Sequence, residues 1–230
     1  MTNHRSFVLA VSVFLIVALS GWVIYHAVDL ARTKFEAGNP PPDVQKALQP
    51  HTIDLGTMRP PALRPTDPIR YGSVTSSMSV IAYGDFECEG CRQMNSVLTI
   101  VIPQFKGNVR LVWRDLPIAD ENPNAMSAAV FARCAGVQGK FWEAHDLLMA
   151  APSLGEGTYG DIAQQLKLNL RSLAECRQDP KITAAVQTDV DESRADGVDG
   201  APFFFVGTKA IRGPMTTDDL AKEIKLFLAS

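Results

Sequence analysis

The first apolar segment of the chain is long enough to cross a membrane. Residues 7–25 contain no formally charged side chain and consist mostly of Val, Leu, Ile, Ala and Phe. As a helix, this segment would be about 28 Å long, close to the hydrocarbon thickness of a bilayer. A cleaved secretory signal is the alternative, because Ala18 and Ser20 have the small side chains of a cleavage site. The apolar run continues through Trp22 to Tyr25, which favours an uncleaved anchor.

A proline-rich stretch follows the apolar segment and its flank (residues 1–35). Residues 36–70 hold eight of the fifteen prolines and few large apolar side chains. Proline fixes its own φ and restricts the residue before it, so this stretch is predicted to be an extended, semi-stiff spacer. For residues 60–70 the alternative is an irregular arm packed on the following domain.

Residues 71–230 alternate between strand-like and helix-like patterns. A short apolar run at 78–83 predicts a buried strand, and apolar residues then recur at helical spacing until Pro103. The further predicted elements are a strand at 109–113, a helical region at 124–195 with breaks near 136–139, 152–160 and 180, strands within 200–207 and at 210–212, and a closing helix at 217–228. This order predicts an α/β domain.

Composition and charge exclude several classes of protein. The chain is 46% apolar and 20% charged, which excludes a disordered or collagen-like chain. Residues 71–230 carry fifteen basic and twenty acidic side chains, a difference of −5. A domain with this negative net charge binds nucleic acid poorly, and no nucleic-acid partner is expected.

Two of the four cysteines form a C-x-x-C motif at the start of the first predicted helix. Cys88 lies at the helix amino terminus, where free backbone N–H groups and the helix dipole favour a thiolate. Cys91 lies one turn further along on the same face, within reach to resolve a mixed disulfide. This arrangement predicts thiol–disulfide exchange.

Two other interpretations of the motif are weaker. A zinc site usually needs two more Cys or His ligands, and neither a second C-x-x-C nor an H-x-x-x-H follows. A purely structural bridge between Cys88 and Cys91 would close too small a loop to stabilise the fold much. No metal and no cofactor are therefore expected.

The other two cysteines stand alone in the helical region. Cys134 and Cys176 both follow helical apolar patterns, which favours a structural disulfide between two helices. Two buried free thiols are the alternative, and a second redox pair is less favoured. His145 lies on a helix with Trp142 and Leu148 and is interpreted as a packing residue rather than a catalytic base.

Three separated motifs carry a resemblance to a known family. They are Asp85-Phe86-Glu87-Cys88-x-x-Cys91; Cys134-Ala135 with Gln138-Gly139-Lys140-Phe141-Trp142 and His145-Asp146; and Gly197-Val198 with Gly200-Ala201-Pro202-Phe203-Phe204-Phe205-Val206. In this order they resemble the DsbA-like branch of the thioredoxin superfamily. The resemblance implies a thioredoxin fold over residues 71–230 with a helical insertion at about 121–196. It also implies a cis peptide bond between Ala201 and Pro202, with Pro202 facing the cysteine pair and both residues binding the substrate.

Three positions depart from the family pattern. Ala82 stands where the family usually has a buried acid, and Ala201 stands where Thr or Val is common before the cis-proline. Between the cysteines, Glu89-Gly90 replaces the proline or histidine of strongly oxidising members. Negative charge from Glu89, with Glu87 and Asp85, would oppose a Cys88 thiolate, so we expect a site that is less oxidising than a proline-histidine one.

Together, these features predict an extracytoplasmic enzyme that exchanges disulfides with protein substrates through Cys88 and Cys91. A membrane redox partner would reset the pair. The resemblance implies a bacterial inner-membrane location, single-pass with the domain on the periplasmic side, or a secreted or periplasmic protein if the first segment is cleaved. A non-catalytic tethered binding or chaperone module, and a reductase or isomerase for a narrow set of clients, are the alternatives.

Overall fold

The computed structural model of the protein describes residues 58–230. The predicted anchor at 7–25 and the spacer up to residue 57 lie outside the described residues. Among residues 58–230, every helix is too short or too polar to cross a bilayer.

The described residues form five strands and seven α-helices. In chain order they are β1 (Ile69–Arg70), β2 (Met78–Gly84), α1 (Glu89–Val101) with a 3₁₀ turn (Ile102–Phe105), β3 (Val109–Asp115), α2 (Ala125–Val137), α3 (Phe141–Ala150), α4 (Glu156–Gln165), α5 (Leu170–Gln178), α6 (Pro180–Ala195), β4 (Phe203–Val206), β5 (Lys209–Arg212) and α7 (Thr217–Leu228). The strand order is β1-β3-β2-β4-β5, with β2 and β3 parallel and the other pairs antiparallel. This is the mixed α/β architecture that the sequence predicts.

Both faces of the sheet are buried, which explains why its central strands are almost continuously apolar. On β2, Val80 and Ala82 pack on one side with α1 and α7, while Ile81 and Tyr83 pack on the other side with Val190 of α6. The three phenylalanines of β4 divide in the same way, Phe204 to the first side and Phe203 and Phe205 to the second. This run is therefore part of the core.

The helical insertion consists of α2 to α6, between β3 and β4. The predicted breaks near residues 136–139, 152–160 and 180 all separate helices. A further break at 166–169 was not predicted. There Lys167 has a left-handed φ of 55°, and the Asn169 side chain caps α5 by accepting from the Ser172 N–H.

A disulfide joins Cys134 of α2 to Cys176 of α5, with a Cα–Cα distance of 5.7 Å. It connects two helices of the insertion and closes a loop with a sequence separation of 42. Cys134 is completely buried, and Cys176 packs against the same core.

Residues 58–70 pack on the domain as an arm, which is the alternative that the sequence left open for residues 60–70. Ile69 and Arg70 pair with Val112 and Leu111 and extend the sheet at β3. Asp67 is buried and bonds to the fully buried Arg114 at 2.8 Å. The arm is held because it supplies both strand hydrogen bonds and a counter-charge to the sheet.

A buried network of charges connects the arm, the sheet and the insertion. Asp189 of α6 accepts hydrogen bonds from Arg64 of the arm, from Arg133 of α2 and from the backbone N–H of Asp115 in β3. Arg133 also bonds to the Asp115 carboxylate at 2.5 Å. Buried charges are tolerated only when they are paired and hydrogen-bonded, so these four elements must come together at one point. Four elements distant in sequence are thereby fixed relative to one another.

We expect Asp189→Asn to lower the free energy of unfolding by about 3–5 kcal/mol, because it leaves two arginines without their shared carboxylate. Asp191→Asn on the same helix is the matched control. Asp191 is 65% exposed and lies 3.9 Å from Arg194, so its loss should cost less than about 1 kcal/mol. Urea unfolding measures both, and equal effects would contradict the structural role of Asp189.

Removing the disulfide with Cys134→Ala/Cys176→Ala should lower the free energy of unfolding by up to about 4 kcal/mol, because the unfolded chain regains loop freedom. Thiol counting on the denatured, unreduced protein gives a direct check. Four free thiols would show that the bridge does not form.

Candidate active site

Cys88 caps the amino terminus of α1 with its own sulfur. It follows β2 through a short loop, has extended backbone angles (φ −72°, ψ 120°), and its Sγ accepts a hydrogen bond from the Cys91 N–H at 3.2 Å. The thiol is half-buried, while that of Cys91, one turn further on, is buried. Both cysteines are free thiols in the structure.

The two sulfurs have opposite acidities. Hydrogen bonding to the Cys91 side chain lowers the pKa of the Cys88 thiol, and the backbone N–H groups of Cys91 and Gly90 lower it further against the effect of burial. Burial raises the pKa of the Cys91 thiol well above its ordinary value, and its interaction with Cys88 raises it further. Cys88 is therefore the sulfur that ionises more readily and is more accessible, whereas the buried Cys91 thiol keeps its proton.

Pro202 lies opposite this helix terminus, after a cis Ala201–Pro202 peptide bond. The Cys88 thiol donates to the Ala201 carbonyl oxygen at 3.7 Å. The structure thus brings together Cys88, Cys91, Ala201 and Pro202, the four residues that the sequence places in the site.

Gly90 is a site residue that the sequence interpretation missed. A Cβ atom on Gly90 would lie 3.1 Å from Cδ of Pro202 and 3.9 Å from the Cys88 sulfur. The absent side chain lets the proline ring approach the first turn of the helix. The sequence contained one signal of this role. A glycine in the first turn of a helix lowers helix stability, and the sequence offers no local reason for it.

Asp85 is the second residue whose role only the structure defines. Its buried carboxylate accepts from the Glu87 N–H at 2.7 Å, the Ile118 N–H at 2.9 Å and the Asn122 side-chain amide at 2.8 Å. Its own backbone N–H donates to the Cys91 sulfur at 3.5 Å. Asp85 therefore connects the inner thiol with the loop that follows β3.

The structure separates the three acids that the sequence grouped around Cys88. The Glu87 carboxylate is held by the backbone and side-chain amides of Asn124, and Glu89 is exposed and accepts from Gln93. The charge of Asp85 opposes ionisation of both sulfurs and so raises the pKa of each, against the larger hydrogen-bond effect at Cys88 and together with burial at Cys91. Asp85, rather than Glu89, therefore supplies the negative charge that was expected to oppose a Cys88 thiolate.

Other candidate residues lie outside this arrangement. His145 is buried among the rings of Phe86, Trp113 and Trp142, and burial lowers its pKa, consistent with packing rather than base catalysis. Ala82 is buried within β2 between Trp113 and Phe204. Within residues 58–230, no group of three or more His, Cys, Asp or Glu residues is arranged to hold a metal ion.

We expect Asp85→Asn to lower the pKa of Cys88 and to make the pair more oxidising, because a negative charge near both sulfurs is lost. The equilibrium with glutathione should shift toward the reduced protein by up to about tenfold, which corresponds to about 30 mV. Glu89→Gln, an exposed acid next to the same cysteine, is the control and should shift it much less. Thiolate absorbance against pH gives the Cys88 pKa, and equal shifts in both variants would refute the assignment to Asp85.

Comparison with known proteins identifies the family and the fold of the chain. Residues 64–226 match a family model described as Thioredoxin. Among solved structures, a thioredoxin-like oxidoreductase from Silicibacter pomeroyi DSS-3 aligns with a TM-score of 0.66 at 24% identity, covering 73% of this chain and 95% of that one. The thiol-disulfide exchange protein alpha-DsbA2 from Wolbachia pipientis aligns with a TM-score of 0.64 at 20% identity, covering 71% and 88%.

Curated relatives match a similar share of the chain. A protein named Na(+)/H(+) antiporter NhaA 1 from Salinispora arenicola is 36% identical over 166 residues, which are 70% of this chain and 25% of that protein. The chain thus spans about a quarter of the length of this relative. The low-identity structures show the fold. The family model covers most of the chain. The described residues also contain the C-x-x-C helix, the cis-proline and the helical insertion. The chain therefore belongs to the thioredoxin family.

Proposed function

We propose that this protein is a thiol–disulfide oxidoreductase that exchanges disulfides with protein substrates through Cys88 and Cys91. The observation that carries the proposal is the asymmetry of the two sulfurs at one helix terminus. One thiol is half-buried and has a lowered pKa, and the other is buried and has a raised pKa. A structural cysteine pair does not need this difference.

The chemistry follows from that asymmetry and needs no cofactor. When the pair is reduced, the Cys88 thiolate attacks a substrate disulfide, forms a mixed disulfide and releases one substrate thiolate. Cys91 then loses its proton and attacks the Cys88 sulfur, which releases the second substrate thiolate and leaves Cys88–Cys91 oxidised. In the reverse direction, a substrate thiolate attacks Cys88 of the oxidised pair, and a second substrate thiol resolves the mixed disulfide.

The backbone before the cis-proline supplies a place for the substrate chain. Ala201 precedes β4 and lies outside the ladder that pairs β4 with β2, and among residues 58–230 its N–H and C=O have no backbone partner. An extended substrate segment can pair with these groups, as peptides do at free strand edges. The small Ala201 side chain leaves recognition at this point to the backbone.

The compartment proposed for this activity is outside the cytoplasm, with the domain tethered to the bacterial inner membrane. The apolar segment at 7–25 supports the tether, and the Cys134–Cys176 disulfide suits a compartment where disulfides persist. One fold neighbour, from Salmonella enterica serovar Typhimurium, is described as a periplasmic thioredoxin-like protein. A membrane redox partner would return the pair to its working state.

The Cys88–Cys91 pair is proposed to be a weaker oxidant than the cysteine pair of a proline-histidine site. Asp85 places a negative charge where it opposes both thiolates. The equilibrium constant with glutathione measures this directly, and a potential as high as that of the strongest oxidases would exclude it. For the antiporter relatives, the proposal extends only to the matched quarter of their length.

Changing Cys91→Ser should trap covalent complexes between Cys88 and substrate proteins, because the resolving thiol is gone. These complexes should appear as higher-mass bands in non-reducing electrophoresis and disappear on treatment with dithiothreitol. Cys88→Ser is the matched control and should trap none. Absence of complexes in the Cys91→Ser variant would contradict exchange and favour the binding-module alternative.

A further inference from the structure

A groove runs from the active site along the helical insertion. Its volume is about 520 Å³, within the range of roughly 300–1,000 Å³ that is usual for ligand sites. One wall is the 116–121 loop after β3, and the other combines the exposed side of α6 with residues 198–201. Ala201 is one of the lining residues and its carbonyl oxygen lies 3.7 Å from the Cys88 sulfur, so the groove adjoins the reactive centre.

The groove is built on fixed backbone. Leu116 donates its N–H to the Gly84 carbonyl at 2.8 Å, and Ile118 donates to the Asp85 carboxylate. On the opposite wall, Asp189 holds α6 to β3 through the Asp115 N–H. A segment that enters the groove therefore meets a preformed surface, which reduces the entropic cost of binding.

The lining combines an apolar floor with an acidic rim. Leu116, Val190 and Val198 supply the buried floor, and the half-buried Met126 adds a side chain that adapts to different neighbours. Asp120 and Glu121, beside Met126, are both exposed, and neither forms an ion pair with another described residue.

The other charged residues of the groove already have partners. Asp199 pairs with Arg212, and Arg194 lies 3.9 Å from Asp191 of its own helix. Arg194 is 72% exposed, so the groove lining carries three acidic side chains and one basic one, and both unpaired acids lie on the β3 side. Their potential adds to that of a domain whose residues 71–230 carry fifteen basic and twenty acidic side chains.

We infer that this groove binds the extended segment of a substrate protein next to its reactive cysteine, and that Asp120 and Glu121 select segments with basic side chains there. The inference rests on the proposed disulfide exchange and adds to it a class of substrate. A mixed disulfide at Cys88 places the substrate chain beside Ala201, which lines the groove. A chain leaving along the groove carries its side chains past the acidic rim, where lysine or arginine is attracted and glutamate is repelled.

The test uses the full-length chain with Cys91→Ser and two synthetic peptides. Each peptide has one cysteine joined by a disulfide to 2-mercaptoethanol, flanked on both sides either by lysines or by glutamates. The Cys88 thiolate attacks the peptide sulfur, the Cys88–peptide disulfide forms, and 2-mercaptoethanol leaves as its thiolate. Mass spectrometry gives the rate of adduct formation, which is divided by the rate of the same peptide with dithiothreitol to remove intrinsic reactivity.

We expect the corrected rate to be about two- to fivefold higher for the lysine peptide than for the glutamate peptide, with a smaller ratio in about 0.5 M salt. Adding Asp120→Asn/Glu121→Gln should bring the ratio close to one. Asp161→Asn/Asp218→Asn is the control, because it removes the same charge at exposed positions that do not line the groove. That control should keep most of the ratio.

The outcomes separate this inference from the proposed function. If adducts form but both peptides react equally, or if the groove variant and the control variant change the ratio equally, the groove does not select basic segments and the exchange activity stands. If neither peptide forms an adduct while both react with dithiothreitol, the exchange proposal fails and the inference fails with it.

Discussion

The arrangement of the domain depends on the burial of charge around Asp189. This carboxylate has no exposure to solvent, and its three donors come from the arm, from β3 and from α2. Each missing donor would leave a buried charge less well compensated, so the network favours one way of placing the insertion on the sheet. The geometry of the site depends on this placement because α6 and the 116–121 loop border the groove next to Ala201.

The active site combines one local feature with two contributions from distant parts of the chain. The local feature is the helix terminus, where Cys88 caps α1 and its sulfur accepts a hydrogen bond from the Cys91 N–H. The cis-proline loop arrives from beyond the insertion and covers the first turn of α1, where a Cβ on Gly90 would lie only 3.1 Å from Pro202. Asp85, hydrogen-bonded by the loop after β3, adds a fixed negative charge. The acidity of Cys88 is thus a balance between hydrogen bonds that stabilise a thiolate and a carboxylate that opposes it.

Much of the fold was predictable because its signals are local. Strands buried on both faces read as continuous apolar runs, and the closing helix lies at 217–228 as predicted. A feature was missed, or a choice was left open, where a local signal was weak or the cause was distant. The break before α5 depends on the left-handed Lys167 and on the Asn169 cap, and the packing of residues 58–70 depends on Arg114 and on a free strand edge, neither of which lies near them in the chain.

The sequence by itself determined which residues can perform the chemistry. A C-x-x-C at a helix start requires only neighbouring residues to place two sulfurs on one face and to expose free N–H groups to the first. Only the tertiary structure decided which acid lies near those sulfurs, how closely Pro202 approaches Gly90, and where the groove beside Ala201 lies. Hydrogen bonds to a buried carboxylate, the approach of Pro202 and the walls of the groove all join residues far apart in the chain, and their distances are fixed only when the core and the buried charges have come together.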